Sequence, residues 1–594
     1  MRRPGGIEAL AEMEGEKATH QSEMGLRLIH EVKPFQAQFF GATFFILFGA
    51  AAQATAPFLV GRAIDQNIAR ADLPGLLKTL SLLLGVYGIA VLCQRGQTRR
   101  IGAVGQHVLA SIRLRLFRHL QSVPLNYFDR RPIGDLMSRL LSDVDMLSQF
   151  FSQGLTQILG AMVGLVGIVL AMFLLNARLA SACFLVIPIM LVTTRIFAGR
   201  ARKAYRVTRQ TVGNVSAEIQ EEIQGIKQAQ AFNRTEFNIE KFKLRNTANR
   251  KANVAAVGIT SAFSPVIDVL STLSTALVMG YGGYLVLRGS LTLGLLAAFL
   301  IYVQQFFRPV QIAASVYAMT QSALAGAERI YGVLDEPLES PDSKGARAIE
   351  TPNGRIAFEN VSFGYLPERL VLHDVSFTIE PGQMVAIVGP TGAGKTSIAN
   401  LIPRFYDIAS GTVRIDGHDV RDLKRASLRQ TIAMVLQEPF LFSISVADNI
   451  AFGRPYLTRE DIERAAKTVH AHDFIVGLAK GYDTVLSGST GMLSQGQRQL
   501  LAFARAVVGN PKILILDEAT ANIDMRTEAL IQKALAVLLK NRTSVVIAHR
   551  LSTIRNADKI VTLSHGTVSE IGTHEELIAF DGLYATLYRQ QLQA

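Results

Sequence analysis

Met384-Val-Ala-Ile-Val388 runs directly into Gly389-Pro-Thr-Gly-Ala-Gly-Lys-Thr396, and this stretch decides the fold of the second half of the chain. The apolar run is typical of a buried strand, and the next eight residues fit the pattern G-x-x-x-x-G-K-[ST] at the start of a helix. In such a loop, backbone N–H groups surround phosphate oxygens, the Lys reaches the β- and γ-phosphates, and the Thr ligates magnesium. The predicted nucleotide-binding residues are Gly389, Pro390, Thr391, Gly392, Ala393, Gly394, Lys395, Thr396 and Ser397.

Two further strand ends carry polar residues. Lys512-Ile-Leu-Ile-Leu is followed by Asp517 and Glu518. We expect Asp517 to hold the magnesium ion and Glu518 to act as the general base that polarises a water for attack on the γ-phosphate. Val545-Val-Ile-Ala548 is followed by His549, which places an imidazole at another strand end. Alone, an apolar strand that ends in Asp-Glu is weak evidence that a surface turn explains equally well, and a lone His is more often an ordinary core or surface residue. Together with the phosphate loop, they predict an ATP-hydrolysing site.

The first half of the chain has the apolar composition of a membrane protein. A bilayer core requires about 20 apolar residues per helix. Six stretches meet or approach that length, and they are Phe35–Val60, Thr79–Gln94, Met146–Ala177, Leu179–Thr194, Val269–Leu287 and Gly289–Phe307. Asn176-Ala177-Arg178 leaves room only for a tight turn between the third and fourth. The loops after the second and fourth stretches are long enough to be helices that extend beyond the membrane, since Val108, Ile112, Leu116 and Leu120 recur at helical spacing.

The net charge of +13 is concentrated in those two long loops, which is the positive-inside pattern and not a nucleic-acid-binding surface. We therefore predict an integral membrane protein with both termini in the cytoplasm, and a compact chain of this kind fits a bacterial inner membrane. We expect no nucleic acid among its partners. The two cysteines, Cys93 and Cys183, lie in apolar stretches and indicate neither a disulfide nor a metal site.

Taken together, the chain resembles an ATP-binding cassette (ABC) exporter of the half-transporter type. The resemblance implies an all-α domain of six transmembrane helices with long cytoplasmic extensions, followed by an α/β P-loop nucleotide-binding domain. It also implies roles for single residues. Tyr365 would stack on adenine, Gln437 would sense the magnesium site, and Asp524 would communicate across a dimer. Leu493-Ser494-Gln495-Gly496-Gln497 would be the signature sequence that contacts the partner's ATP, and His549 would be the switch histidine.

The expected domains are an N-terminal tail (1–33), a transmembrane domain (34–320), a linker (321–352) and a nucleotide-binding domain (353–594). Two segments of the first half look like the family's coupling regions. Tyr127–Arg139, with Asp143 after it, looks like the first coupling region, and Glu222–Ile226 with Ala231–Arg234 looks like the approach to the second. A solvated amphipathic helix is the alternative for each segment.

Gln495 departs from the glycine of the family's signature, while Lys395, Asp517, Glu518 and His549 retain the residue types that hydrolysis requires. A complete catalytic set beside an altered signature favours one half of a heterodimer, in which one of the two sites hydrolyses poorly. A homodimer that tolerates Gln495 is the alternative.

The expected function is ATP-driven export of amphipathic or hydrophobic small molecules by alternating access, with ATP and Mg²⁺ as cofactors. A lipid or glycolipid flippase is one alternative, and an ATP-gated channel or regulatory subunit is another. Aromatic residues could line an apolar substrate cavity or pack against lipid and neighbouring helices, and they are Phe39, Phe40, Phe44, Phe45, Phe48, Tyr302, Phe306 and Phe307. Asp268, a charge at membrane depth, should face a polar cavity or a partner helix, with its contact to substrate left open.

Overall fold

A computed structural model of the chain describes residues 21–366, 368–454, 456–486, 493–517, 525–548 and 551–593. It forms two compact units. The first comprises Met1–Gln121 and Pro132–Glu336, and the second comprises Ser122–Arg131 and Pro337–Ala594. A short segment from the middle of the first half therefore belongs to the second unit.

In its described residues, the first unit contains helices joined by turns and has no strand. Its α-helices are α1 Gln21–Val32, α2 Gln36–Arg62, α3 Leu73–Leu120, α5 Ile133–Ser138, α6 Val144–Gln149, α7 Leu155–Leu175, α8 Ala177–Phe184, α9 Ile187–Gln224, α10 Ile226–Ala231, α11 Thr235–Leu287 and α12 Leu293–Leu334, with α4 Leu125–Arg130 in the inserted segment of the second unit. A 3₁₀ turn at Lys33–Phe35 joins α1 to α2, and π-helical turns lie at Ala63–Ile68, Arg139–Asp143 and Phe150–Gly154.

Six helical segments are long and apolar enough to cross a membrane, which confirms the predicted number of spans in the described part of the chain. They are Glu23–Ile68, Leu73–Leu120, Ile133–Leu175, Ala177–Gln224, Thr235–Leu287 and Leu293–Val310. The predicted extensions beyond the membrane are helical as well, because α3 runs unbroken to Leu120 and α11 begins at Thr235. The tight turn at Asn176 is closed by its own side chain, whose Oδ1 accepts a hydrogen bond from the N–H of Leu179 at 3.0 Å.

Several predicted boundaries differ from the observed helices, and two of these differences concern the sixth span. The sixth span begins at Leu293 and not at Gly289, because Gly289 adopts a φ of +71° in the turn before it. Its helix continues to Leu334, so residues 321–334 of the segment predicted as linker are helical. The predicted domain limits at 320 and 352 stay a prediction.

The second unit contains two sheets. Its strands are β1 Ile356–Phe363, β2 Leu372–Ile379, β3 Met384–Val388, β4 Ser410–Ile415, β5 His418–Asp419, β6 Ile432–Val435, β7 Ile513–Asp517, β8 Thr543–Ile547, β9 Lys559–Ser564 and β10 Thr567–Gly572. Four strands form an antiparallel sheet in the order β2-β1-β4-β5, and six form the other in the order β10-β9-β3-β8-β7-β6. Its α-helices are α13 Lys395–Leu401, α14 Arg425–Thr431, α15 Val446–Ile450, α16 Arg459–Thr468, α17 His472–Val476, α18 Gln495–Val507, α19 Met525–Leu539, α20 Leu551–Arg555, α21 His574–Phe580 and α22 Leu583–Gln593.

The six-stranded sheet is covered on both faces, which explains why its strands are continuous apolar runs. Successive side chains alternate between the two faces, so Val385 and Ile387 of β3 join one apolar cluster while Ala386 and Val388 join the other. Strands β9, β3, β8, β7 and β6 are parallel neighbours in the sheet. Their carboxyl ends therefore share one edge, where the predicted site residues are found.

Candidate nucleotide-binding site

The loop between β3 and α13 has the backbone that a phosphate cradle requires. Gly389, Gly392 and Gly394 have φ values of +157°, +84° and +100°. A Cβ at Gly389 would lie 2.4 Å from the carbonyl oxygen of Leu563, and one at Gly394 would lie 2.5 Å from a methyl group of Leu372. Only glycine fits both positions without displacing neighbours. Helix α13 begins at Lys395, so its free N–H groups lie at the end of this loop.

Lys395 is buried and its ammonium is held by the loop itself. Its Nζ donates hydrogen bonds to the carbonyl oxygens of Gly389 at 2.7 Å and Pro390 at 3.0 Å. Burial lowers the pKa of Lys395, and the Asp517 carboxylate opposes that decrease. Asp517 is therefore near enough to act on the Lys395 charge. An ammonium has three N–H donors, and the loop carbonyls take two of them.

The rest of the loop divides into buried and open positions. Ala393, Gly394, Lys395 and Ser397 are buried, whereas Pro390, Thr391, Gly392 and Thr396 are exposed. The hydroxyl of Thr396 is thus on the open side of the loop, at the first turn of α13. Its oxygen, the Asp517 carboxylate at the end of β7 and the amide of Gln437 are the hard oxygen donors that Mg²⁺ prefers.

The parallel strands also account for Gln437. It follows β6 at the same sheet edge and is exposed. Sequence alone did not reveal how the loop after it is held. The buried side chain of Asn449 donates to the carbonyl oxygens of Phe442 at 3.0 Å and Ser445 at 3.1 Å, and accepts from the N–H of Phe442 at 2.9 Å.

Arg505 of α18 completes this cluster. Its Nε donates to the carbonyl oxygen of Asn449 at 2.8 Å, its Nη1 to that of Phe440 at 3.0 Å, and its Nη2 to Oδ1 of Asn449 at 3.0 Å. The loop after Gln437 is thereby fastened to the helix that begins with the signature residues. Nothing in the sequence around Asn449 signals this role, because an Asn within Val446-Ala-Asp-Asn-Ile450 is an ordinary helical residue.

The signature residues form the start of α18. Ser494 is the N-cap, and a capping box closes it. The Ser494 Oγ accepts from the N–H of Gln497 at 3.2 Å, while the Gln497 Oε1 accepts from the N–H of Ser494 at 2.9 Å. Gln495 occupies the first helical position and its φ is not positive, so the backbone needs no glycine there. Gly496 is buried and Gln495 is half-buried, so the departure from the family concerns only the Gln495 side chain.

Tyr365 lies beside the phosphate loop. Its hydroxyl is 3.1 Å from the Oγ of Ser397, in the first turn of α13. Its ring meets those of Phe363 and Tyr406 edge to face, with centroids 5.0 and 5.1 Å apart. These contacts hold the Tyr365 ring beside the phosphate loop. Glu518, Asp524 and His549, the predicted base, dimer contact and switch residue, lie outside the described residues.

Comparison with known proteins identifies the family of the chain. The family model described as "ABC transporter transmembrane region" matches residues 39–310, and the model described as "ABC transporter" matches residues 372–521. A fatty acid ABC transporter ATP-binding/permease protein of Mycobacterium bovis is 38% identical over 87% of this chain and 82% of its own length. An ATP-dependent lipid A-core flippase of Desulfotalea psychrophila is 36% identical over 95% of this chain and 99% of its own.

A putative multidrug export ATP-binding/permease protein of Staphylococcus aureus is 38% identical over 82% of this chain and 84% of its own length. Among solved structures, a bacterial Atm1-family ABC exporter with ATP bound has a TM-score of 0.77 and 29% identity. That match covers 94% of this chain and 98% of the other.

Proposed function

Because the chain belongs to the ABC transporter family and couples ATP hydrolysis to export across a membrane, we propose that it moves amphipathic molecules that partition into the bilayer. The main observation in support of ATP-driven transport is the edge of the parallel sheet where the carboxyl ends of its strands lie. The glycine-rich phosphate loop, Lys395 and Asp517 lie together there. The names of the relatives point to a substrate class, since they mention fatty acid, a lipid A core and multidrug export.

The exposed surface of the first unit supports an amphipathic substrate over a purely apolar one. In α11, Ser261, Ser264, Asp268 and Thr272 are exposed at helical spacing, whereas Ile267 and Leu270 between them are buried. A polar stripe of this kind, at the depth of an apolar span, suits a headgroup. Of the aromatic residues considered for the cavity, Phe40, Phe44 and Phe48 are exposed, but Tyr302, Phe306 and Phe307 are buried in helix packing. Phe39 and Phe45 are half-buried, and together with the three exposed rings they remain candidates to contact substrate.

Each residue of the nucleotide site is assigned a role in this proposal. Lys395 and the loop N–H groups bind the β- and γ-phosphates, and the Tyr365 ring stacks on adenine. Thr396, Asp517 and Gln437 hold the Mg²⁺ ion, which neutralises phosphate charge when bound. Glu518 orients and deprotonates the attacking water, His549 contacts the γ-phosphate, and Asp524 faces the dimer. Ser494, Gln495, Gly496 and Gln497 present their donors to ATP held by the partner subunit.

In this proposal the chain functions as a dimer with a second half-transporter subunit. The last turn of α9 and the turn after α10 expose Ile223 and Phe232, with 68% and 78% of their surfaces accessible, and the second unit exposes Phe440 at 66%. Large apolar side chains exposed at helix ends and in loops are typical of surfaces that a partner covers. We favour a heterodimer, because Gln495 differs from the family's glycine where it would approach the partner's phosphate. Both termini are assigned to the cytoplasm of a bacterial inner membrane, on the charge of the long loops.

Reconstitution tests these assignments together. Purified protein in liposomes should take up an amphiphilic dye or translocate a labelled lipid in an ATP-dependent manner, and the Lys395→Ala variant should do neither. Lipid movement without dye uptake would identify a flippase. Ion conductance without movement of either probe would instead support the channel alternative. Mass measurement of the purified complex tests the dimer, and a fully active self-dimer would refute the heterodimer.

A further inference from the structure

One face of α3 changes from apolar to basic where the second apolar stretch ends. Residues 79–93 of this helix carry no charge, whereas Arg95, Arg99 and Arg100 follow directly. No acidic residue occurs in the helix, which runs from Leu73 to Leu120. The helix itself therefore offers no carboxylate partner to these three guanidinium groups.

The three arginines have different surroundings. The Arg100 guanidinium lies over the Phe45 ring of α2, 4.8 Å from the ring centroid. The Arg95 and Arg99 side chains are exposed, and no carboxylate in the described part of the chain forms an ion pair with either of them. Arg95 and Arg99 can therefore bind an anion without first breaking an ion pair.

An open cavity of about 460 Å³ runs along the same face of α3. It is lined by Val91, Gln94, Arg95, Thr98 and Arg99. Spacings of three and four residues place these side chains on one face of the helix. An apolar side chain stands at one end of the cavity, and amide, hydroxyl and guanidinium groups follow along the helix. Sites for small molecules typically have volumes of about 300–1,000 Å³, so the cavity has room for a headgroup.

Apolar surface for an alkyl chain lies at the same depth on α2. A Cβ at Gly96 would lie 2.9 Å from the Phe45 ring, so these two positions of the neighbouring helices are level. Phe44 and Phe48, which flank Phe45 in sequence, are exposed, and their ring centroids lie 4.3 Å apart. The basic cavity and an exposed aromatic pair therefore occur at one depth, which suits a molecule with a charged head and an apolar chain.

We propose that Arg95 and Arg99 bind the anionic headgroup, a carboxylate or a phosphate, of the amphiphile that the protein transports. The inference deepens the proposed function and rests on it for the amphipathic class of substrate. Guanidinium groups one helical turn apart can both donate paired N–H groups to one oxyanion, and they stay charged at any physiological pH. Gln94 and Thr98 supply neutral donors beside them. Charge complementarity and the neighbouring aromatic pair favour one occupant with both a charge and a chain over a free anion.

Two amphiphiles that differ in the sign of the headgroup test the site. The purified protein in nanodiscs of zwitterionic lipid is assayed for ATPase activity with dodecyl phosphate and with dodecyltrimethylammonium, each below its micelle-forming concentration. The parent chain should reach half-maximal stimulation at a lower concentration of dodecyl phosphate. Arg95→Gln combined with Arg99→Gln should raise that concentration roughly tenfold without changing the maximal rate, because charge-assisted hydrogen bonds are lost at an exposed site.

Charge reversal and a matched control separate this site from general surface charge. Arg95→Glu combined with Arg99→Glu should make the cation the better activator, a result that a folding defect cannot produce. Arg195 and Arg200 of α9 follow the fourth apolar stretch, are exposed, and have no ion pair among the described residues. Arg195→Gln combined with Arg200→Gln should leave the half-maximal concentration within about twofold of the parent's. Equal effects of the two double Gln variants would overturn the proposal.

Uptake decides whether the occupant is the transported molecule. Proteoliposomes should take up radiolabelled dodecyl phosphate in the presence of ATP, and the double Gln variant of Arg95 and Arg99 should lose most of this uptake at low concentration. Stimulation that depends on the two arginines, without uptake that depends on them, would identify a resident lipid or a regulator. That result would overturn the assignment to substrate.

Failure of this inference is distinguishable from failure of the proposed function. If neither amphiphile stimulates the parent chain or is taken up by it while its ATPase is active, the amphipathic class of substrate is wrong. If both amphiphiles act equally on the parent chain and the double Gln variant of Arg95 and Arg99 behaves like the parent, the amphipathic class stands. Only the anionic headgroup site is then refuted.

Discussion

Replacing Arg505 tests whether the loop after Gln437 depends on the signature helix for its position. Arg505→Ala removes three hydrogen bonds of 2.8, 3.0 and 3.0 Å from one charged group. A bond to a charged group is worth about 1.5–3 kcal/mol. The three are not additive, because they share one side chain and end partly on one residue. Burial also disfavours the charge, as the lowered pKa of Arg505 shows.

The net loss is therefore well below the sum of the three bonds, and we expect about 2–4 kcal/mol in the free energy of unfolding of the second unit. For a unit of this size, each kcal/mol lowers the Tm by roughly 2–4 °C, which predicts a decrease of roughly 4–16 °C. The Tm of the Arg505→Lys variant should lie between that of the parent chain and that of Arg505→Ala, because an ammonium lacks the planar fork that reaches three acceptors.

The assay is differential scanning fluorimetry of the full chain, in which we follow the unfolding transition whose Tm is raised by ATP. Arg464→Ala is the control, since the Arg464 side chain is 71% exposed and forms its ion pair with Asp461 one helical turn away. Its Tm should change by less than about 2 °C. ATP turnover of Arg505→Ala should fall while ATP affinity is kept, because the described contacts of Arg505 are with the loop and not with the phosphate cradle. An Arg505→Ala variant as stable as Arg464→Ala would refute the reasoning.

Four further outcomes follow from the site. Lys395→Ala should lose ATP binding, measured by a fluorescent nucleotide analogue, because the ammonium is the charged donor of the cradle. Glu518→Gln should bind ATP but reduce hydrolysis by about 10²–10⁴-fold, and undiminished phosphate release would contradict its role as base. Gln495→Gly should raise the steady-state ATPase of the assembled dimer if the Gln side chain crowds the partner's phosphate, and no change would favour the tolerant homodimer. The lowered pKa of Lys395 predicts that ATP affinity declines as pH rises toward 10.5, where a Lys395→Arg variant should give a flatter profile in calorimetric titrations.

Lys395 makes folding stability depend on pH in the opposite direction to ATP affinity. Its pKa in the folded chain lies below the ordinary lysine value of 10.5, so between these two pKa values the unfolded chain binds more protons than the folded one. Stability from this group therefore rises with pH through that window. Nucleotide phosphates favour the charged ammonium and raise the pKa again, so binding takes up a proton where the free site has lost one.

Local sequence patterns were sufficient to predict most of the fold. Apolar length predicted six spans, and apolar strands that end in glycine or carboxylate predicted the sheet edge with Lys395 and Asp517. Both depend on residues close in sequence, so one chain is enough to see them. The family's motif order added Tyr365 and Gln437, which no local pattern distinguishes from surface residues.

The polar clusters that position those residues were not predictable in the same way. The Tyr406 hydroxyl donates to the carboxylate of Asp129, 277 positions away, and Arg505 and Asn449 are 56 apart. Their residue types are common, and only the folded chain brings them together. Sequence patterns also could not separate aromatic residues of one span from another by environment. Tyr302 and Phe307 are buried in packing whereas Phe44 is exposed, because burial depends on which face of each helix meets a neighbour.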